Sequence, residues 1–124
     1  MAAPNIVGVT TIVGFTTAIN LTSANPTVLV SNAAGSGAVL KINNLTLSNI
    51  TNSTVGYATV RTHTEAAGLG VSFSLSSNIG IATGTSLVLM DKASSIYVEE
   101  GRSITVQVNP INTIHATCSY ERIQ

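Results

Sequence analysis

Few side chains in this 124-residue chain could take part in chemistry near neutral pH, chiefly His63, His115, the single cysteine Cys118, and the carboxylates Glu65, Asp91, Glu99 and Glu100. A hydrolytic or zinc-dependent reaction would need both histidines to converge with at least one carboxylate. A metal takes several N, S or O ligands, and a general base must reach the proton it removes. No local spacing supplies such a set: HExxH, CxxC, GxSxG and a phosphate-cradling glycine loop are all missing from the sequence. His63 shares the parity of Arg61 at the polar end of a strand, and His115 alternates against apolar neighbours, so both are expected at solvent or in an interface. Cys118 falls on the inward parity with Ala116 and Tyr120, where a thiol acts as a small hydrophobe and a poor nucleophile. Glu99 and Glu100 are adjacent and would leave a strand on opposite faces; with Gly101 and Arg102 they read as a solvated turn. The expectation is a non-enzymatic chain with no catalytic, cofactor-binding or metal site.

The elements that would position these residues are strands. Val and Ile together number 25 against 9 Leu, and Thr is the commonest polar residue, the β-branched bias of a pleated, half-buried surface. Ile104, Val106 and Val108 alternate with Ser103, Thr105 and Gln107. Ile114, Ala116, Cys118 and Tyr120 alternate with His115, Thr117, Ser119 and Glu121. With Asn109-Pro110-Ile111-Asn112 between them, these two strands are expected to form a hairpin. Val71, Phe73 and Leu75 alternate with serines, and Leu87 and Leu89 continue the pattern after Thr83-Gly84-Thr85. Around Val39 to Ile50 the apolar phase slips between Ile42 and Leu45, which predicts a bulge at Asn43-Asn44. Turn clusters at Ser23 to Pro26, Asn32 to Gly37, Asn49 to Ser53 and Glu65 to Gly70 divide the chain at intervals of roughly ten residues. The fold class expected is all-β: one β-sandwich or jelly-roll-like domain of about nine short antiparallel strands over 21–124, preceded by an extended arm or first strand over 1–20.

Composition limits what such a domain does. Charged residues are 8% of the chain, against about 25% in ordinary soluble domains. In their place stand 17 Thr, 14 Ser and 11 Asn. Lys and Glu lose hydration and rotamer entropy on entering a contact, and short neutral side chains lose less, so this surface is cheap to dehydrate. Residues 1–60 hold one charge, Lys41. With formal net charge zero a free monomer has little colloidal repulsion, which constitutive assembly would relieve. No basic cluster exists to neutralise phosphates, so nucleic acid is not an expected partner.

The opening MAAPNIVGVTTIVGF has no basic residue before its apolar run, so no signal peptide is expected, and no apolar stretch approaches a membrane span. Cytoplasmic synthesis fits one cysteine and no internal disulfide. Four Asn-x-Ser/Thr sequons begin at Asn20, Asn44, Asn49 and Asn52, and carry little weight without a signal peptide. Five aromatics are meagre material for a sugar-stacking platform. Ile6, Val7, Val9, Ile12 and Val13 would make an uncharged strand at the chain end, able to cross onto a neighbouring subunit and extend an open sheet edge.

The phrase DKASSIYVEEGRSIT at Asp91 to Thr105, with the opening MAAPNIVGVTTI and the closing ATCSYERI, resembles small virion structural proteins of tailed bacteriophages, particularly contractile-tailed phages of marine cyanobacteria. The resemblance covers most of the chain in pattern and rests on no catalytic signature. It implies a virion protein made in the bacterial host cytoplasm, present in many copies and bound to itself and to a major capsid, neck or tail protein. Capsid decoration comes first and a trimer is the first guess of symmetry. A neck, tail or baseplate component is the alternative, and a carbohydrate-binding adhesion module a further one. Within the motif Tyr97 projects opposite Ile96 and Val98 and is expected as an interface anchor, with a place in a second core as the alternative.

Overall fold

The computed structural model describes residues 8–124. Among the described residues there are nine strands: β1 (Ile12–Asn20), β2 (Thr27–Asn32), β3 (Val39–Asn49), β4 (Gly56–His63), β5 (Ser72–Ile81), β6 (Ser86–Met90), β7 (Tyr97–Val98), β8 (Arg102–Asn109) and β9 (Ile114–Ile123). Short 3-10 turns lie at Ala66–Gly68 and Lys92–Ser94. The strands form two antiparallel sheets packed as a sandwich. One runs β1-β9-β3-β6, with β7 also paired to β3; the other runs β2-β8-β4-β5.

The alternation read from the sequence builds the core. Ile104, Val106, Val108, Ala58 and Val60 from the second sheet meet Ile42, Leu45, Leu47, Ile114, Ala116 and Cys118 from the first, and each is at most 1% exposed. Burying a side chain of this size contributes about 1.5 to 3 kcal/mol. The bulge at Asn43 is real: β3 and β9 pair Ile42 with Tyr120 and then Asn44 with Ser119, which keeps Ile42 and Leu45 on the same inner face.

The expected hairpin of β8 and β9 does not form. β8 pairs with β2 and β4, whereas β9 pairs with β1 and β3, so residues 110–113 cross from one sheet to the other. The crossing is held by backbone bonds from Asn112 N–H to Leu21 C=O and from Ile50 N–H to Thr113 C=O, and by the Thr113 hydroxyl donating to Pro110 C=O. Alternation reports which face a residue takes and is blind to which strand lies beside it.

Two buried asparagines close the ends of the sandwich. Asn32 Nδ2 donates to Ala38 and Val98 carbonyls at 2.9 and 3.1 Å, tying the end of β2 to β7 in the opposite sheet. Asn49 Nδ2 donates to Thr54 and Ile81 carbonyls, both at 2.9 Å, tying the end of β3 to the end of β5. Asn49 is 4% exposed, so its sequon is closed to modification in the folded chain.

Candidate assembly interface

The chemistry-bearing residues do not converge. His115 is exposed on the outer face of the β1-β9-β3-β6 sheet, and His63 lies on the outer face of the other, opposite Ser103 in register. The two histidines are therefore on opposite sides of the sandwich. Among the described residues no three His, Cys, Asp or Glu side chains come together. Cys118 is fully buried, and burial pushes its thiol up from 9.0 to about 12, which keeps it protonated near neutral pH. Arg102 and Glu99 approach at 3.8 Å across the expected turn, an exposed pair of little energetic weight.

His63 corrects the reading that it faces solvent or an interface: it is 6% exposed. The chain after β4 folds back over the sheet as a roof, its Gly68 N–H donating to Ser103 Oγ at 2.8 Å and its Ala67 N–H to Ser31 Oγ at 2.9 Å. Gly68 has φ +73°, and a Cβ there would stand 3.0 Å from Thr105 Cγ2, so the roof needs a glycine at its lowest point. Beneath it His63 Nε2 bonds Thr105 Oγ1 at 2.7 Å, while Nδ1 has no hydrogen-bond partner. The Ser103 hydroxyl donates to Glu65 C=O at 2.8 Å, so its proton is engaged away from the imidazole. These polar contacts attach the roof to the sheet.

A shallow cup lies elsewhere on the same sheet, lined by Tyr57, Thr59, Asn78, Gln107 and Asn109 with Ala24 and Val108. The Tyr57 ring covers Gly80, where a Cβ would meet it at 3.3 Å. Gln107 is held at both ends, accepting from Arg61 Nη1 at 2.8 Å and donating to Ala24 C=O at 2.9 Å.

Exposed apolar side chains are grouped along two sheet edges, with Val88, Ile50 and Tyr97 exposed singly elsewhere. Along β1, Ile12 is 57% exposed and Val13 and Phe15 are each 43% exposed. Phe15 stacks on Tyr120 with ring centroids 5.5 Å apart, and both border a groove with Leu40, Asn32 and Arg122. Leu69, Val71 and Phe73, leading into and along β5, are 61 to 62% exposed, and Leu75 is 38% exposed. The strand expected at Val71 to Leu75 is therefore present from Ser72, but its apolar side chains lie outside the core. No charged residue falls within 1–40 or 66–90, so both edges are uncharged throughout.

Of the residues expected at an interface, Ile12 and Val13 are exposed on β1, which is paired with this chain's own β9, and Val9 is half-buried. Ile6 and Val7 lie outside the described residues. Tyr97 is 48% exposed beside Lys41 in register, with Val98 buried against Leu40 on the opposite face. The first strand and Tyr97 were marked from sequence; the β5 edge was missed. Its signal was the charge-free stretch 66–90, which the alternation of Val71, Phe73 and Leu75 disguised as an ordinary half-buried strand.

No protein-family model matches the sequence, and no curated protein matches it. The chain is similar in structure to a subunit from work titled "Bacillus endospore appendages form a novel family of disulfide-linked pili". The TM-score is 0.53 at 16% identity, over 92% of this chain and 88% of that one. This likeness is one of fold, the two-sheet sandwich. No helix among the described residues is long and apolar enough to cross a membrane.

Proposed function

We propose that the chain is a non-enzymatic structural subunit that acts by packing against copies of itself and other proteins in a multi-copy particle. The observation that carries this reading is the pair of long, uncharged sheet edges with exposed Ile12, Val13, Phe15, Leu69, Val71 and Phe73. Edge strands are ordinarily guarded by charge, proline or strong bulging, and a contiguous apolar edge marks an interaction surface. The particle we propose is a tailed-phage virion, on the sequence resemblance, with capsid decoration first and a neck, tail or baseplate position second. The structural neighbour comes from disulfide-linked pili, which adds support for a sandwich of this kind working as a repeated subunit. Association by disulfide is disfavoured for this chain, since Cys118 is its one cysteine and is fully buried.

Contacts of this composition depend little on ionic strength. Raising salt from about 0.05 to 0.5 M shortens electrostatic screening severalfold and is expected to leave the assembled mass in light scattering unchanged. Localisation of the chain on intact particles tests the address. A chain that stays monomeric at high concentration and binds no particle would defeat the reading.

The cup around Tyr57 favours a second function, recognition of a neutral carbohydrate on a host surface. One half-exposed aromatic ring with amide and hydroxyl groups from Asn78, Asn109 and Thr59 matches the hydrogen-bonding pattern of sugar hydroxyls. Glycan-array binding that Tyr57→Ala reduces at least tenfold is the expected result of that reading; an array without reproducible signal removes it.

A further inference from the structure

The two sheets have four edges, and they are not equivalent. β2 is six residues long, has a register shift at Val28/Val30 and is joined by Ser31 to the roof. β6 has five residues and leads directly into Asp91 and Lys92, and β7 has two. β1 and β5 have nine and ten residues and carry exposed Ile12, Val13, Phe15, Phe73 and Leu75, whereas the shorter β2 and β6 each carry one, Val28 and Val88. β1 pairs with β9 in unbroken register from Ile12↔Ile123 to Asn20↔His115, without proline, charge or bulge. β5 shifts register between Ser74 and Ile79 but is regular at Ser72 to Ser74.

Backbone polarity shows what each edge offers. Thr11 and Gln124 exchange both N–H···O=C bonds at 3.0 Å, so in an antiparallel ladder the bonded pairs continue at Val13, Phe15, Thr17 and Ile19. The peptide groups of Ile12, Gly14, Thr16 and Ala18 then point away from the sheet. On β5, Thr64 N–H donates to Val71 C=O at 2.9 Å, which by the same alternation turns the peptide groups of Ser72 and Ser74 outward. Each edge thus presents a row of donors and acceptors flanked by apolar side chains.

These edges belong to different sheets and differ from each other. A closed two-fold dimer through either one would leave the other exposed. We propose that β1 of one copy adds to β5 of the next, a head-to-tail contact that joins the first sheet of one molecule to the second sheet of its neighbour. The occupant of each edge is a second copy of this chain, because both edge strands are themselves charge-free; the nearest charges, Arg122 and Glu121 beside Val13 and Gly14 and Arg61 beside Ser74, are on the inner strands β9 and β4. Such a contact leaves a free β1 at one end of every oligomer and a free β5 at the other, so it closes into a ring or grows into a fibre. The proposal rests on the reading of the chain as an assembling subunit and specifies the joint.

The test uses the full chain and two variants, with mass measured by multi-angle light scattering. Gly14→Pro removes an outward N–H without touching the bonds to β9, and a Cβ at residue 14 meets nothing within 4 Å. Phe73→Lys puts a charge on the β5 edge at a side chain that is 62% exposed. The wild-type chain is expected to form species larger than a dimer. Each variant alone is expected to be monomeric, with association weakened at least tenfold. An equimolar mixture is expected to give dimers and nothing larger, since each pair joins the one intact β1 to the one intact β5.

Dimerisation of either variant alone, or a mixture that stays monomeric, overturns the head-to-tail joint. Variants that assemble as the wild type does place the joint elsewhere and leave the broader reading standing, whereas a monomeric wild type defeats the joint outright. Far-UV circular dichroism and melting confirm folding, and Ile12→Lys replaces Gly14→Pro should the proline variant fail to fold.

Discussion

Leu45→Ala is expected to lower the unfolding free energy by about 2 to 5 kcal/mol, the range for truncating a fully buried leucine. Leu45 is 0% exposed and stands in the middle of its sheet, opposite Cys118 on β9 on one side and Met90 on β6 on the other. The bulge immediately before it fixes the strand, so neighbouring side chains cannot slide into the space, and most of the cavity persists. Against a typical domain stability of about 5 to 15 kcal/mol the loss is large. Leu69→Ala removes the same atoms from a side chain that is 61% exposed, and should change monomer stability by no more than about 0.5 kcal/mol. Urea unfolding at equal protein concentration checks both; equal shifts in midpoint would show that the core has been drawn in the wrong place.

Asn49→Ala should cost on the order of 3 kcal/mol, through polar groups and not through volume. The Asn49 amide donates to the carbonyls of Thr54 and Ile81, and its Oδ1 accepts from Thr51 N–H at 2.9 Å and Thr51 Oγ1 at 2.8 Å. Removing it strands a buried carbonyl at the end of β5 and loosens the loop 50–55 together. Asn52, three residues on and exposed, is the matched control, and Asn52→Ala should fall within about 0.5 kcal/mol of the wild type. Indistinguishable melting of the two variants would mean that water replaces the amide and that Asn49 is no fastening.

Much of the fold was legible because β-strand physics is local. Ile104, Val106 and Val108, and Ile114, Ala116 and Cys118, could be assigned to the core from parity alone, and all six are buried. The bulge at Asn43 followed from an apolar phase slip, and the turns at Gly84 and Gly101 from residues that tolerate positive φ. The errors share a cause. β8 and β9 have the alternation of a hairpin and the short connection of one, yet belong to different sheets. His63 has the parity of an exposed residue but lies under a roof supplied by the loop that follows it. Phe73 has the parity of a core residue but is 62% exposed on an edge strand.

The contacts that decide the first two are remote in sequence: β8 pairs with β2 and β4 while β9 pairs with β1 and β3, and the loop over His63 is fastened to Ser31 and Ser103.

The sequence by itself determined that the chain is an all-β sandwich, where most of its strands and turns fall, and that its surface is poor in charge. These follow from side-chain period, backbone preference and composition, which are properties of a residue and its immediate neighbours. Tertiary structure alone decided which strands are edges, that β1 and β5 are the long ones, and that they lie in different sheets. Edge status is a property of strand order, set by the packing of the two sheets against each other, and no local pattern encodes it.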